Sequence, residues 1–235
     1  MIYGIASYRR PECRTVKTLL DAGVKKRDIV ISVQDEKDLA QYKAKHPDIR
    51  IVYRPADSAA GNRNTLLMNI KERPVCLLDD DIVSFGVFEK SFRADTKKGL
   101  AALESVLESA KKNGCTIAGI AATNNGIIAR NRSAESIDIL LQGSVLLFMD
   151  RDTFFDERFK MVEDYEICLK AICNGKHTLR DNRIVANKPQ NGTNVGGLHE
   201  RYMRGELPAW ITRLEKLYPI FKANKQKNGG SIKWT

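Results

Sequence analysis

The stretch RPVCLLDDDIVSF, residues 73–85, climbs through an apolar run, sets three aspartates side by side and turns apolar again. Four apolar residues, 75–78, bounded by Pro74 and by acids, read as a short strand buried on both faces. Neighbouring carboxylates repel one another, so three of them at the end of such a strand imply cationic company. In an extended chain residues i and i+2 point to one side, which sets Asp79 with Asp81 and turns Asp80 away. Two hard oxygen donors on one side suit Mg2+ or Mn2+, with water and phosphate completing the shell. On an open loop the same spacing is usually only a pair of solvated acids. Its place at the carboxyl end of a buried strand favours the metal.

Upstream, apolar runs at 2–7, 28–33 and 49–53 alternate with helical segments. The first helix closes near Gly23, the second is capped by Asp35 and stopped by Pro47, and the third covers 63–70. Repeated strand-helix-strand units predict an α/β, Rossmann-like and mostly parallel sheet flanked by helices, with ligands beyond the carboxyl ends of its strands. Downstream, a long helix over 96–113 leads to a strand at 116–120 and a turn at Asn124-Asn125-Gly126. Apolar stretches between 137 and 149 are broken by Gln142-Gly143, and past Met149 the regular sheet reads as finished and a second lobe as begun. One domain is expected over 1–221, in halves 1–95 and 96–221. A basic tail, 222–235, follows it and is expected to be mobile or ordered by a partner.

Composition narrows the functional classes. The chain has 235 residues, 43% hydrophobic and 29% charged, which excludes a disordered protein. A net charge of +10 favours nucleic acid, phosphorylated substrates or anionic surfaces as partners, with bare solubility as the plain alternative. Five cysteines without a Cys-x-x-Cys pair suggest neither a disulfide framework nor a zinc knuckle. No leader-like segment or membrane-length apolar run is evident, so a cytoplasmic protein with no membrane association and no obligate protein partner is expected.

Three further stretches lie in a fixed order around the aspartates: ASYRRPE (6–12), GNRNTLLMNI (61–70) and FDERFKMVEDYEICLKAICNGK (155–176). With them the chain resembles a GT-A glycosyltransferase, in which a divalent metal bridges an Asp-x-Asp motif to a nucleotide-sugar diphosphate. The resemblance implies Mn2+ or Mg2+ and a UDP-sugar donor. It implies metal ligation by Asp79 and Asp81, with a third ligand from His199 in NVGGLHERY; a surface imidazole is the other reading of His199. Ser7, Arg9, Arg10, Arg63, Asp79 and Asp80 would line the nucleotide-sugar. Asp35 would read a uracil edge, though a helix cap explains it equally well. Gln142 and Gly143 resemble the acceptor-side segment, and Gly196-Gly197 would let the following loop close over donor.

The acidic helix is also legible from periodicity. Val162, Tyr165, Cys168, Leu169 and Ile172 make one apolar stripe closed by Gly175, with Glu163, Asp164 and Glu166 off it. Acids in a first turn are commonly dipole-compensating caps. The functional reading makes Asp164, kept ionised by the helix dipole, the base that takes a proton from an acceptor hydroxyl, with Glu163 as substitute. In-line attack would then invert the anomeric carbon.

VCLLDDDIVSF (75–85), with ERPVCLLDDD (72–81), is also similar to the phage TET/JBP-associated DNA 5-hydroxymethylpyrimidine glycosyltransferases. That likeness, with the basic charge, implies DNA carrying 5-hydroxymethylcytosine or 5-hydroxymethyluracil as acceptor, in host cytoplasm if the gene is a phage's. Arg201, Arg204, Arg213 and Lys216, interleaved with Tyr202, Trp210 and Tyr218, would follow its phosphates; a solvated basic face on a C-terminal helix is the equal alternative. A glycan glycosyltransferase of the same fold, and a non-catalytic basic nucleic-acid-binding module, are the competing functions.

Overall fold

The computed structural model describes residues 1–89, 91–121, 133–188, 199–224 and 229–232. Strands β1 (Ile2–Ser7), β2 (Ile29–Val33), β3 (Arg50–Tyr53) and β4 (Val75–Asp79) alternate with helices α1 (Arg14–Asp21), α2 (Glu36–Lys45) and α3 (Ala59–Asn69). There follow β5 (Ser84–Phe88), β6 (Phe92–Ala94), α4 (Thr96–Lys112), β7 (Cys115–Ala121), β8 (Glu135–Ile137), β9 (Val145–Phe148), α5 (Glu163–Cys173) and β10 (His177–Asn187). The chain closes with α6 (His199–Met203), α7 (Leu207–Leu217) and a hairpin of β11 (Phe221–Asn224) and β12 (Gly229–Ile232).

The main sheet runs β3-β2-β1-β4-β9-β7-β10-β5-β6, with β8 on β10. Strands β3, β2, β1 and β4 are mutually parallel, as the repeated units predict. Beside them β9 is antiparallel to both β4 and β7, and β10 returns parallel to β7 and antiparallel to β5. The sheet is therefore not finished at Met149, as the sequence pattern suggested. Strand β10 escapes the apolar rule because its polar residues pair with partners two positions along the chain: Arg180 bonds Asn182 and Arg183 bonds Asp181.

Each face of the sheet carries a helical layer. Val16 and Leu19 of α1, Tyr42 of α2 and Leu103 and Val106 of α4 fill one. Leu66 of α3, Ile167 of α5, Leu214 of α7 and Phe221 fill the other. Helix α3 starts at Ala59, earlier than the sequence suggested, because Ser58 caps it by accepting from the Gly61 N–H at 3.1 Å. The start of the basic tail is not loose: residues 222–224 pair with 229–231, and Ile232 packs against the α5–α7 layer. Among the described residues no helix is long and apolar enough to cross a membrane. Four of the five cysteines are buried, and all five are free thiols.

The hairpin closes the second layer through Phe221, which is fully buried. Phe221→Ala should cost about 3–5 kcal/mol of unfolding free energy. Urea denaturation with a fixed slope would measure it, and a loss under about 1 kcal/mol would mean that the hairpin is not part of the core.

Candidate active site

Strand β4 ends at Asp79 and the chain turns over Asp80 and Asp81, so strand alternation stops one residue into the triad. Each aspartate takes its own partners. Asp79 accepts from Arg63 Nη2 at 2.8 Å on one oxygen and from Lys188 Nζ at 2.7 Å on the other. Asp80, only 5% exposed, accepts from Ser7 Oγ at 2.5 Å and Arg10 Nη1 at 2.8 Å. Asp81 meets the same Arg10 nitrogen at 3.4 Å. Thr15 of α1 fixes the turn, its hydroxyl donating to the Asp79 carbonyl and accepting from the Ile82 N–H.

Burial pushes the Asp79 carboxyl up, but Lys188 and Arg63 outweigh it and hold the group below the usual range. Burial also raises Asp80, and there Arg10 and Ser7 offset it only in part. Ser7 and Asp80 are thus buried against each other. They position Arg10 and the β4 tip, and do not line an open face.

Helix α3 is the keel of the site. Four consecutive polar residues, Asn62 to Thr65, are buried in it, and the first three each hold a different segment. Asn62 donates to the Ser7 carbonyl at 2.9 Å, tying down the end of β1. Arg63 donates to Asp79, to Glu163 and, at 3.0 Å, to the Gly143 carbonyl. Asn64 donates to the Phe155 carbonyl and accepts from its N–H, clamping the loop before α5. The sequence places Arg63 at the diphosphate; the structure buries it as a brace between acids. Burial opposes its charge, yet Glu163, Asp79 and Asp164 more than restore it.

The acidic helix begins under backbone strain. Val162, its N-cap, sits at φ 55°, a left-handed conformation that β-branched residues avoid. Glu163 is buried and paired to Arg63, so it is not an open base. Asp164 stays half-buried, accepting from the Gly143 N–H at 2.8 Å and from the Tyr165 N–H at 2.9 Å. Burial and then the adjacent Glu163 charge push its carboxyl up to about 6, against the pull of Arg63 and the two N–H groups. The dipole alone therefore does not set its ionisation. Gly143 has a steric reason as well, since a Cβ there would lie 2.8 Å from Arg63 Nη2 and 2.9 Å from Nη1.

The remaining predicted residues divide. Arg9 is exposed at φ 55°, with its guanidinium 4.8 Å from the Tyr8 ring centroid. Asp35 caps α2, accepting from the Lys37 N–H at 3.0 Å. Gln142 lies half-buried in the loop before β9, next to Gly143. Arg201 and Arg204 both bond Glu206 at 2.8 Å, which neutralises part of the expected basic face. Arg213 stacks near the Phe159 and Trp210 rings, and Lys216 is exposed in the last turn of α7. Tyr202 of α6 is half-buried, and its hydroxyl is raised to about 12 by burial and then by the charges of Asp164 and Glu163, so α6 faces the acids. Asn124-Asn125-Gly126 and Gly196-Gly197 lie outside the described residues. Asn62, Asn64 and Lys188 were missed; the polar run Asn62-Arg63-Asn64 at the head of an apolar helix was the available signal for the first two.

The donor set can be tested against a divalent ion. Five carboxyl groups, Asp79, Asp80, Asp81, Glu163 and Asp164, face three cations, Arg10, Arg63 and Lys188. Hard oxygens and an excess of negative charge fit Mg2+ or Mn2+. Among the described residues no three His, Cys, Asp or Glu side chains form a ready-made metal group, so His199 is not gathered with Asp79 and Asp81. Such a site suits an ion held by one or two carboxylates and completed by substrate phosphate.

Solved structures of similar shape include a mannosyltransferase from Pyrobaculum calidifontis in complex with GDP-Man and Mn2+, at TM-score 0.62 and 13% identity, matching 95% of this chain and 65% of that one. Another is TarS 1–349 of S. aureus, at TM-score 0.51 and 13% identity, matching 92% of this chain and 66% of that one. The chain thus spans about two thirds of each, and at this identity the likeness establishes the GT-A fold alone. No curated protein matches the sequence. The family model for TET-associated glycosyltransferases matches residues 1–197, and with the site at the tip of β4 the conclusion is direct: this chain belongs to the TET-associated glycosyltransferase family.

Proposed function

We propose that this glycosyltransferase moves a sugar from a UDP-sugar to the hydroxymethyl oxygen of 5-hydroxymethylcytosine or 5-hydroxymethyluracil in DNA, with inversion and with a divalent ion. The observation that carries the reading is Asp164, a half-buried carboxyl fixed by the Gly143 N–H and joined through Arg63 to the aspartates at the β4 tip. The family's description as TET-associated, together with the likeness of residues 72–85 to DNA 5-hydroxymethylpyrimidine glycosyltransferases, supports the acceptor.

Asp79 and Asp81 would hold the ion, which supplies charge neutralisation to the diphosphate when bound. Asp164 takes the proton of the acceptor hydroxyl while the new C–O bond forms. The bond from the anomeric carbon to the phosphate oxygen breaks in the same step, and UDP leaves with the electron pair. Each Asp164 oxygen already accepts one N–H, which fixes the carboxylate and leaves lone pairs for the incoming hydroxyl. Arg63 holds Glu163 away from the same role. A cleft of about 530 Å3 beside Val83, just past the aspartate turn, is mixed in charge: Arg14, Lys17 and Lys97 line it together with Asp21 and Asp95, and Lys17 is paired with Asp21. The commitment of Arg201 and Arg204 to Glu206 favours the second reading, a free glycan acceptor.

Protonated Asp164 is no base, so transfer should fall as pH drops through its pKa. With the carboxyl raised to about 6, kcat/KM should be half-maximal near pH 6 and fall about tenfold per unit below it. Asp164→Asn should remove that limb, lower kcat about 100-fold or more and leave UDP affinity within about twofold. An unchanged limb in Asp164→Asn would remove Asp164 from the chemistry.

The acceptor is tested by incubating the protein with Mn2+, UDP-glucose or other UDP-sugars, and hydroxymethylated or unmodified DNA. Mass spectrometry of digested nucleosides should show one added hexose on the modified base only, abolished by Asp81→Asn. No mass gain with any common UDP-sugar, alongside transfer to a free glycan, would establish the second reading.

A further inference from the structure

The two cations on Asp79 differ in kind. Arg63 is locked, its side chain 7% exposed and bonded also to Glu163 and the Gly143 carbonyl. Lys188, the residue after β10, is 23% exposed along its side chain, as is Asp79 itself. Their bond, Nζ to Oδ2 at 2.7 Å, covers the one Asp79 oxygen that Arg63 does not take. An ion pair reached by water exchanges readily, whereas a buried one tied on several sides does not.

We infer that Lys188 is a resident counterion of Asp79, occupying the carboxylate oxygen that a divalent ion needs and yielding it when the ion binds. The inference rests on the metal-dependent reading above. It gives the apo protein a way to hold Asp79 ionised in a cluster already rich in acids, at the cost of weak intrinsic metal affinity. Binding of the ion and release of the ammonium are linked, so whatever removes the lysine charge strengthens the ion by the same factor.

The test is calorimetric titration of MnCl2 into the apo protein at fixed ionic strength, comparing wild type with Lys188→Met, Lys188→Arg and Lys26→Met. Lys26 pairs with Asp48 at the amino-terminal side of β2, away from the strand tips, and controls for net charge. Lys188→Met should bind Mn2+ about five- to tenfold more tightly, while Lys188→Arg and Lys26→Met stay within about twofold of wild type. Circular dichroism melts verify that the variants are folded; should Lys188→Met not fold, Lys188→Gln takes its place. Equal or weaker Mn2+ binding by the neutral variant overturns the inference and leaves the metal reading standing. If Mn2+ binds none of the proteins, with or without UDP, the metal reading itself fails and the inference with it. An equal gain in Lys26→Met reduces the effect to net charge and also overturns it.

Discussion

The guanidinium of Arg63 is the contact on which the site depends. It lies 5% exposed in α3, and its nitrogens reach the end of β4, the first residue of α5 and the loop before β9. A buried cation is tolerated only where it is paired and hydrogen-bonded, and breaking such a group typically costs about 3–5 kcal/mol because a charge is left without compensation. Here removing Arg63 would take from Glu163 its ion-pair partner and leave Asp79 with Lys188. The planar guanidinium also sets directions as a lysine could not, with Nη1 on Glu163 and Nη2 shared between Asp79 and Gly143. Distance between the strand-tip acids and the helix-tip acids is thereby a property of one side chain.

Strain is concentrated at the same place. Among the described residues four that are not glycine have positive φ: Arg9, Cys13, Asp138 and Val162. Arg9 and Cys13 bracket the turn that presents Arg10, and Val162 opens the helix that presents Asp164. Conformations of this sort cost about 1–3 kcal/mol each and persist where surrounding contacts determine them. For Val162 those contacts are the Tyr165 and Glu166 N–H groups bonded to its carbonyl. For the first turn they are Tyr42, whose hydroxyl accepts from the Arg10 N–H, and the Cys13 N–H bonded to the Arg10 carbonyl.

Much of the amino-terminal half was legible because its strands are largely buried on both faces and so read as unbroken apolar runs. IYGIAS, IVISV and VCLLD all take the positions their patterns require. The opposite half hid for a physical reason. Strand β10 carries Arg180, Asp181, Asn182 and Arg183 in succession, and such a run reads as surface unless one knows that residues two apart hydrogen-bond each other. The aspartates were found by position, but their geometry was not. Alternation assumes a strand, and the strand stops at Asp79. Lys188 was illegible for a different reason: its partner lies 109 residues away, and nothing local distinguishes it from a solvated lysine.

The charge arrangement explains why the acids can be so dense. Pairing each carboxyl with its own cation would leave the cluster neutral and without affinity for anything further. Instead one arginine serves Asp79 and Glu163 together, with Lys188 added on Asp79, another arginine serves Asp80 and Asp81, and Asp164 receives only backbone N–H groups. The shortage of cations falls on Asp164, whose raised pKa reports it, after burial, as the neighbouring Glu163 charge. A carboxyl that titrates near neutrality is a better proton acceptor than one at 3.8, because basicity rises with pKa while the ionised fraction stays high. In the proposed reaction the deficit of positive charge that raises Asp164 would also favour a divalent ion at the strand tip. On the proposed function, metal affinity and base strength would be two outcomes of one imbalance, and a substitution that adds a cation anywhere in the cluster should weaken both.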